Sequence, residues 1–104
     1  MERAFKRDEL RMEVWRRSKI EVCLDVLRTI QREKVARPTR IMYKSNTAWV
    51  LLQSILNSFM KSGLIESVEL GSGGRRAYRL TDEGRRAIEI LEAACEITRK
   101  VGVK

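Results

Sequence analysis

Residues 39–80, TRIMYKSNTAWVLLQSILNSFMKSGLIESVELGSGGRRAYRL, decide the fold. Thr39–Tyr43 predicts a short helix, Lys44–Asn46 a turn, and Thr47–Ser62 a second helix that stops at Gly63. A glycine one step past the last periodic residue terminates a helix because it enters the left-handed region without steric cost. Beyond it, Leu64–Leu70 alternates, with Glu66, Val68 and Leu70 set against Ile65, Ser67 and Glu69, and Ala77–Leu80 is expected to turn Tyr78 and Leu80 inward together. Two strands joined by the flexible loop Gly71-Ser72-Gly73-Gly74 follow from this pattern, and Arg75, Arg76 and Arg79 cluster directly after the loop.

Turning 100° per residue along the second helix places Ala48, Leu51, Leu52, Ile55, Leu56 and Phe59 on one side. That side is the expected core face. The other side carries Trp49, Val50, Gln53, Ser54, Asn57 and Lys61. Gln and Asn pair bidentately with adenine in a major groove, and Val50 offers a contact for a thymine methyl. Ser45 or Asn46 is expected to cap the helix, aiming free backbone amides at a phosphate. From Lys34 through Ile65 there is no acidic residue, whereas Lys34, Arg37, Arg40, Lys44 and Lys61 are basic. A surface that faces phosphates requires such a stretch of one sign. The arginines after the glycine loop suit a phosphate or a narrow minor groove. The loop does not lead from a buried strand into a helix, so it does not match a nucleotide-phosphate loop. An amphipathic helix with polar residues outward is also the bland reading of this face. Its single charge, Lys61, and the apolar Trp49, Val50 and Met60 fit a protein-docking surface as the alternative.

Outward from this stretch, Ser18 and Glu21 form a capping box for a helix in which Ile20, Cys23, Leu24, Leu27 and Ile30 recur at three- and four-residue steps. Its polar face, Glu21, Asp25, Arg28, Gln31 and Arg32, mixes signs as a solvated face does. Arg37-Pro38 breaks this helix, and Pro38 stands just before the next one. Residues 1–17 form a basic extension, helical or partly ordered. Glu2, Asp8, Glu9 and Glu13 dilute its positive field, which favours a solvated helix docking Phe5 and Trp15 over an arm reaching phosphates through Arg3, Lys6, Arg7, Arg11, Arg16 and Arg17. At the other end, Thr81 caps a last helix with Asp82 and Glu83 in its first turn. There Gly84, Ile88, Leu91, Cys95 and Thr98 form one stripe, and Ala87, Ile90, Ala94, Ile97 and Val101 a second. One small domain does not easily bury both, so a second subunit is expected on one of them. Ile88, Leu91, Ala94, Cys95, Thr98 and Val101 are the expected dimer contacts, with a single wide core face as the alternative.

A chain of 104 residues accommodates one modest core. The excess of 22 Lys and Arg over 14 Asp and Glu, a net charge of +8, implies a polyanionic partner. No apolar run approaches the ~20 residues that span a bilayer, and the N-terminus lacks a signal-peptide stretch, so no membrane partner is expected and the protein should be cytoplasmic. Cys23 and Cys95 fall among apolar helix positions and read as reduced, buried thiols. There is no His and no evident carboxylate pair, so metal, nucleophile and general-base schemes lack parts. The chain reads as non-enzymatic, with no cofactor and no metal site.

Arg40-Ile-Met-Tyr43, Asn46, the apolar pattern to Gly63-Leu-Ile65 and Tyr78-Arg-Leu-Thr-Asp-Glu-Gly84 together resemble the small archaeal winged-helix DNA-binding proteins of the Sulfolobus type. The resemblance covers Ser18 to about Lys100. It implies a mainly α, α+β fold: a winged helix-turn-helix over residues 18–80 and a C-terminal dimerisation helix over residues 81–104, pairing as an antiparallel coiled coil. It also implies duplex DNA binding through the second helix and the wing, which map onto Thr47–Lys61 and Arg75–Arg79. The expected DNA-contacting set is Arg40, Lys44, Ser45, Asn46, Thr47, Trp49, Val50, Gln53, Ser54, Asn57, Lys61, Arg75, Arg76 and Arg79. A dimeric transcription regulator or nucleoid-associated protein is the expected role.

Overall fold

A computed structural model describes residues 18–71 and 73–101 of the chain. The expectations for the N-terminal extension lie outside the described residues. Among the described residues, four helices and one hairpin follow in order: α1 Lys19–Glu33, α2 Pro38–Ser45, α3 Trp49–Lys61, β1 Ile65–Leu70, β2 Arg75–Leu80 and α4 Asp82–Lys100.

The capping box starts α1 as expected. The Ser18 hydroxyl accepts from the Glu21 amide at 3.1 Å, and the Ser18 amide donates to the Glu21 carboxylate at 3.0 Å. The buried arc of α1 is wider than the expected stripe, because α2, β2 and α4 all pack against it. Val22 and Val26 are buried beside Leu24, Leu27 and Ile30, whereas Ile20 in the first turn is exposed. Thr29, also buried, satisfies its hydroxyl by donating to the Asp25 carbonyl at 2.8 Å. The helix stops at Glu33, before the Arg37-Pro38 step, with Lys34 at φ 68. The released segment then does something the local pattern does not show. Ala36 pairs with Tyr78, exchanging backbone hydrogen bonds of 2.9 and 2.8 Å, and so gives β2 a partner on its other edge.

Pro38 occupies the first turn of α2, where its missing N–H costs nothing. The turn into α3 differs from expectation. Asn46 does not cap α3; it closes α2 in the left-handed conformation (φ 54, ψ 49), which Asn tolerates better than most residues, so the turn manages without glycine. Ser45 and Thr47 are buried, their hydroxyls 2.8 Å apart, with Ser45 donating to the Ile41 carbonyl at 2.6 Å. The cap position of α3 falls to Ala48, which makes no side-chain cap bond and is exposed rather than in the core. The helix therefore begins at Trp49, two residues later than expected. Leu52, Ile55, Leu56 and Phe59 are its buried face and Leu51 is half-buried.

Gly63 ends α3 as expected. At φ 76 it lets its own amide reach the Met60 carbonyl at 3.1 Å and the Leu64 amide reach the Phe59 carbonyl at 2.9 Å, the paired bonds of a Schellman closure. Strands β1 and β2 pair antiparallel from Ile65↔Leu80 at the root to Leu70↔Arg75 at the tip. Ile65 and Leu80 are buried, so the hairpin is rooted in the core. Tyr78 turns inward with Leu80 as expected, half-buried and packed against the core, and Ala77 is buried on the other face of the strand.

Thr81 couples the hairpin to α4. Its hydroxyl accepts from the Gly84 amide at 3.1 Å and donates to the Gly63 carbonyl at 2.6 Å, while its amide donates to the Leu64 carbonyl at 3.0 Å. The first stripe of α4 faces its own domain: Gly84 and Ile88 are buried, and Leu91 and Cys95 pack against the core. Ile88, expected at a dimer contact, is 4% exposed within the single chain and belongs to its core. The second stripe leaves Ile90, Ile97 and Val101 exposed at 68%, 60% and 64%. Both cysteines are free thiols, half-buried rather than fully enclosed. Burial pushes the Cys23 thiol above its ordinary pKa, partly offset by the Lys19 ammonium.

Candidate nucleic-acid interface

The outward face of α3 presents Val50, Gln53, Ser54, Asn57 and Lys61, all exposed, with Val50 at 78%. Trp49 and Met60 lie at the edge of this face, partly exposed. Between α3 and the hairpin runs a cleft of about 350 Å³ lined by Pro38, Trp49, Gln53, Leu56, Asn57, Arg76 and Tyr78. The rooted hairpin thus brings a guanidinium to the same cleft as two amide side chains of α3 that stand 23 and 19 positions earlier in the chain. Amides and a guanidinium are the groups that pair with base edges and with phosphates. The fold places these groups on one concave surface.

The three arginines of the hairpin do not act as one cluster. Arg75 stands exposed at the tip end of β2, and Arg76 lines the α3 cleft. Arg79 lines a different cleft with Lys34, Val35, Thr81 and Arg85, and its Nε donates to the Glu66 carboxylate at 2.6 Å. Strand alternation separates it from Arg76, and register sets Glu66 directly opposite it. Glu69 stands opposite Arg76 without a salt bridge among the described residues.

Other expected contacts divide likewise. Ser45 and Thr47 are turned inward and hold the turn, so their side chains are removed from the surface. Arg40 is exposed but pairs with Glu33 at 3.3 Å. Lys44 and Asn46 are exposed and line a third cleft, of about 360 Å³, together with Asp25, Arg28, Thr29, Arg32 and Ser45. Arg32 was not among the expected contacts. Its spacing of four from Arg28 on one helix face was the available signal, and only the packing of α1 on α2 brings it to Lys44. Arg28 itself is held by Glu92 of α4, with Nη2 at 2.6 Å and Nε at 3.1 Å from the carboxylate.

Among the described residues, no group of three or more His, Cys, Asp or Glu side chains is placed to hold a metal ion. No helix among them is long and apolar enough to cross a membrane.

A sequence model of the winged helix-turn-helix family matches residues 16–99. The chain belongs to this family. No curated protein sequence matches it. Among solved structures, this winged helix is similar to Sso10a-2, a DNA-binding protein from Sulfolobus solfataricus, at 24% identity and a TM-score of 0.73, over 82% of this chain and 85% of that one. It is also similar to the PcaV transcriptional regulator of Streptomyces coelicolor (18% identity, TM-score 0.68, 92% and 72% of the two chains). A MarR mutant from E. coli, complexed with operator DNA, aligns at 13% identity with a TM-score of 0.65, over 83% and 70%. The winged helix described above, with α3 and the β1–β2 wing around one core, is therefore the fold shared with DNA-binding transcriptional regulators.

Proposed function

We propose that the protein binds duplex DNA without catalysing a reaction, laying the outward face of α3 in a major groove and its wing on the adjoining backbone. The observation that carries this reading is the cleft joining Arg76 to Gln53 and Asn57, on a surface whose helices run from Lys34 to Ile65 without a carboxylate. Gln53 and Asn57 supply amides for adenine, Val50 an apolar contact for a thymine methyl, and Arg75 and Arg76 the phosphate contacts. Similarity to a Sulfolobus DNA-binding protein and to a regulator complexed with operator DNA supports the same reading.

In this reading the working unit is a homodimer. Ile90, Ile97 and Val101 on α4 stay exposed after the single chain has buried its core, and they recur along one stripe with the half-buried Ala94. Pairing this stripe with that of a second subunit buries it and sets two reading helices on one duplex. The winged domain is residues 18–80 and the dimer element residues 81–104. A transcription regulator or nucleoid-associated protein of the cytoplasm is the role.

The test is binding to a labelled random-sequence duplex across a salt series, for the wild type and for the double variant Arg75→Ala, Arg76→Ala. Affinity should fall by about 0.9 log units per log unit of salt for each phosphate contacted, and the double variant should show the shallower slope. No binding at low salt refutes the DNA reading. It would leave the exposed Trp49, Val50 and Met60 as a protein-docking patch, the second reading that their 41%, 78% and 38% exposure favours.

A further inference from the structure

We propose that Arg32 and Lys44 form a second backbone-phosphate site, which grips the strand bounding the groove at the end of α3 opposite its C-terminal Lys61. The proposal rests on the DNA-binding reading above and extends its footprint to a face that the wing does not serve.

The two side chains come from different helices. Arg32 lies in the last turn of α1 and Lys44 in the last turn of α2. Both are exposed, and both line the cleft of about 360 Å³ at the turn before α3. That cleft shares no lining residue with the wing cleft. Of its three basic residues, Arg28 is committed to the Glu92 carboxylate at 2.6 Å. Arg32 and Lys44 enter no ion pair among the described residues. The one carboxylate in the lining, Asp25, carries a single negative charge against the two positive charges of Arg32 and Lys44, so the cleft keeps a positive balance.

Position gives this charge a ligand. Lys44 precedes the first residue of α3 by five positions, so the cleft lies where the chain enters the reading helix. With α3 in a major groove about 12 Å wide, the turn that leads into the helix meets the phosphates bounding that groove. An arginine fork and a lysine ammonium together supply a bidentate donor and a mobile point charge, which suit a phosphate diester. They carry no base-edge selectivity, so the site adds affinity uniformly across sequences.

The experiment compares four proteins on one random-sequence duplex across a salt series: wild type, Arg32→Ala with Lys44→Ala, the single variant Arg32→Lys, and Arg99→Ala with Lys100→Ala. The last removes the same two charges from the far end of α4. The Arg32/Lys44 double variant should lower the slope of log affinity against log salt by about 1.8, while the Arg99/Lys100 variant leaves it unchanged and Arg32→Lys keeps it within a few tenths. Thermal melting of each variant confirms that the exposed substitutions leave the fold intact. If the wild type binds steeply and the Arg32/Lys44 variant keeps its slope, the site is refuted while the DNA reading stands. An equal loss in the Arg99/Lys100 variant also refutes it, by assigning the effect to net charge. If the wild type does not bind, both readings fall.

Discussion

Replacing Gly84 with Ala should destabilise the protein, against the usual direction of that exchange. At an open helical site Ala is better than Gly by about 1 kcal/mol. Gly84 stands in the first turn of α4, buried against the end of α3 and the root of the wing. A β-carbon added there would sit well inside contact distance of the Leu64 carbonyl oxygen, 2.9 Å from Leu80 Cδ2 and 3.2 Å from the Leu64 carbonyl carbon. The Leu80 methyl can rotate away, but the Leu64 carbonyl cannot. It already accepts from the Thr81 amide at 3.0 Å, and it belongs to the residue that closes α3. Relief therefore requires α4 to shift outward, at an overpacking cost of about 1–3 kcal/mol, with about 1 kcal/mol more for each hydrogen bond lost. Set against the helical gain, and with one hydrogen bond lost, the net loss is about 1–3 kcal/mol. For a domain of this size that lowers Tm by roughly 4–24 °C. Thermal unfolding followed by circular dichroism, at one fixed protein concentration because an associating protein melts higher when concentrated, measures it. A Tm equal to or above that of the wild type would refute the packing of α4 against Leu64.

Three further outcomes test other parts of the structure. Ile97→Asp, on the exposed stripe of α4, should sediment as a monomer at concentrations where the wild type is a dimer; a wild type that is monomeric throughout removes the dimer from the proposed function. Arg79→Ala should leave the salt dependence of DNA binding unchanged, because that side chain is held by Glu66 and lines a different cleft, whereas Arg76→Ala should lower the slope by about 0.9. The Cys23 thiol has a folded pKa above its ordinary 9.0, so above that pH the unfolded chain loses this proton first. Its contribution to stability is then constant below about pH 9 and declines above it. Denaturant midpoints at about pH 8 and about pH 10 should differ less in Cys23→Ala than in the wild type, and an equal difference in both refutes the burial of the thiol.

What was legible in the sequence is what a few consecutive residues decide. Ser18 with Glu21, Gly63, and Thr81 ahead of Gly84 are local signatures, and each closes or opens the helix it was expected to close or open. Asn46 shows the limit of such reasoning. Asn serves equally as an N-cap and as a left-handed C-terminal residue, and only the burial of Ser45 and Thr47 selects the second role. Ala36 was missed because its partner, Tyr78, is 42 residues away and nothing in the neighbourhood of Ala36 marks an extended pairing. The wing arginines follow the same rule. Composition places them near the loop, but strand register alone puts Arg76 beside α3 and Arg79 beside Glu66. Ile88 belongs to a stripe that sequence assigns to either a core or a partner, and the packing of α1 on α4 makes it core.

Under the proposed binding mode, this distribution of charge separates how tightly the protein holds DNA from which DNA it holds. The outward face of α3 carries Lys61 as its one charge, at the C-terminal end, so the centre of the face has amides, a hydroxyl and Val50 with which to meet the groove floor. Such groups distinguish bases by about 1–3 kcal/mol for each good bidentate pair and contribute little to the salt dependence. The cations that release counterions flank that face, Arg75 and Arg76 on the wing and Lys44 with Arg32 at the entry turn. Substituting Gln53 or Asn57 should therefore alter the ratio of affinities between two duplex sequences while leaving each salt slope in place. Substituting a flanking cation should lower every slope while leaving that ratio in place. A variant of Gln53 that changed the slope by as much as a variant of Arg76 would show that the amide of α3 contacts the backbone, and that the face is a phosphate grip instead of a reading surface.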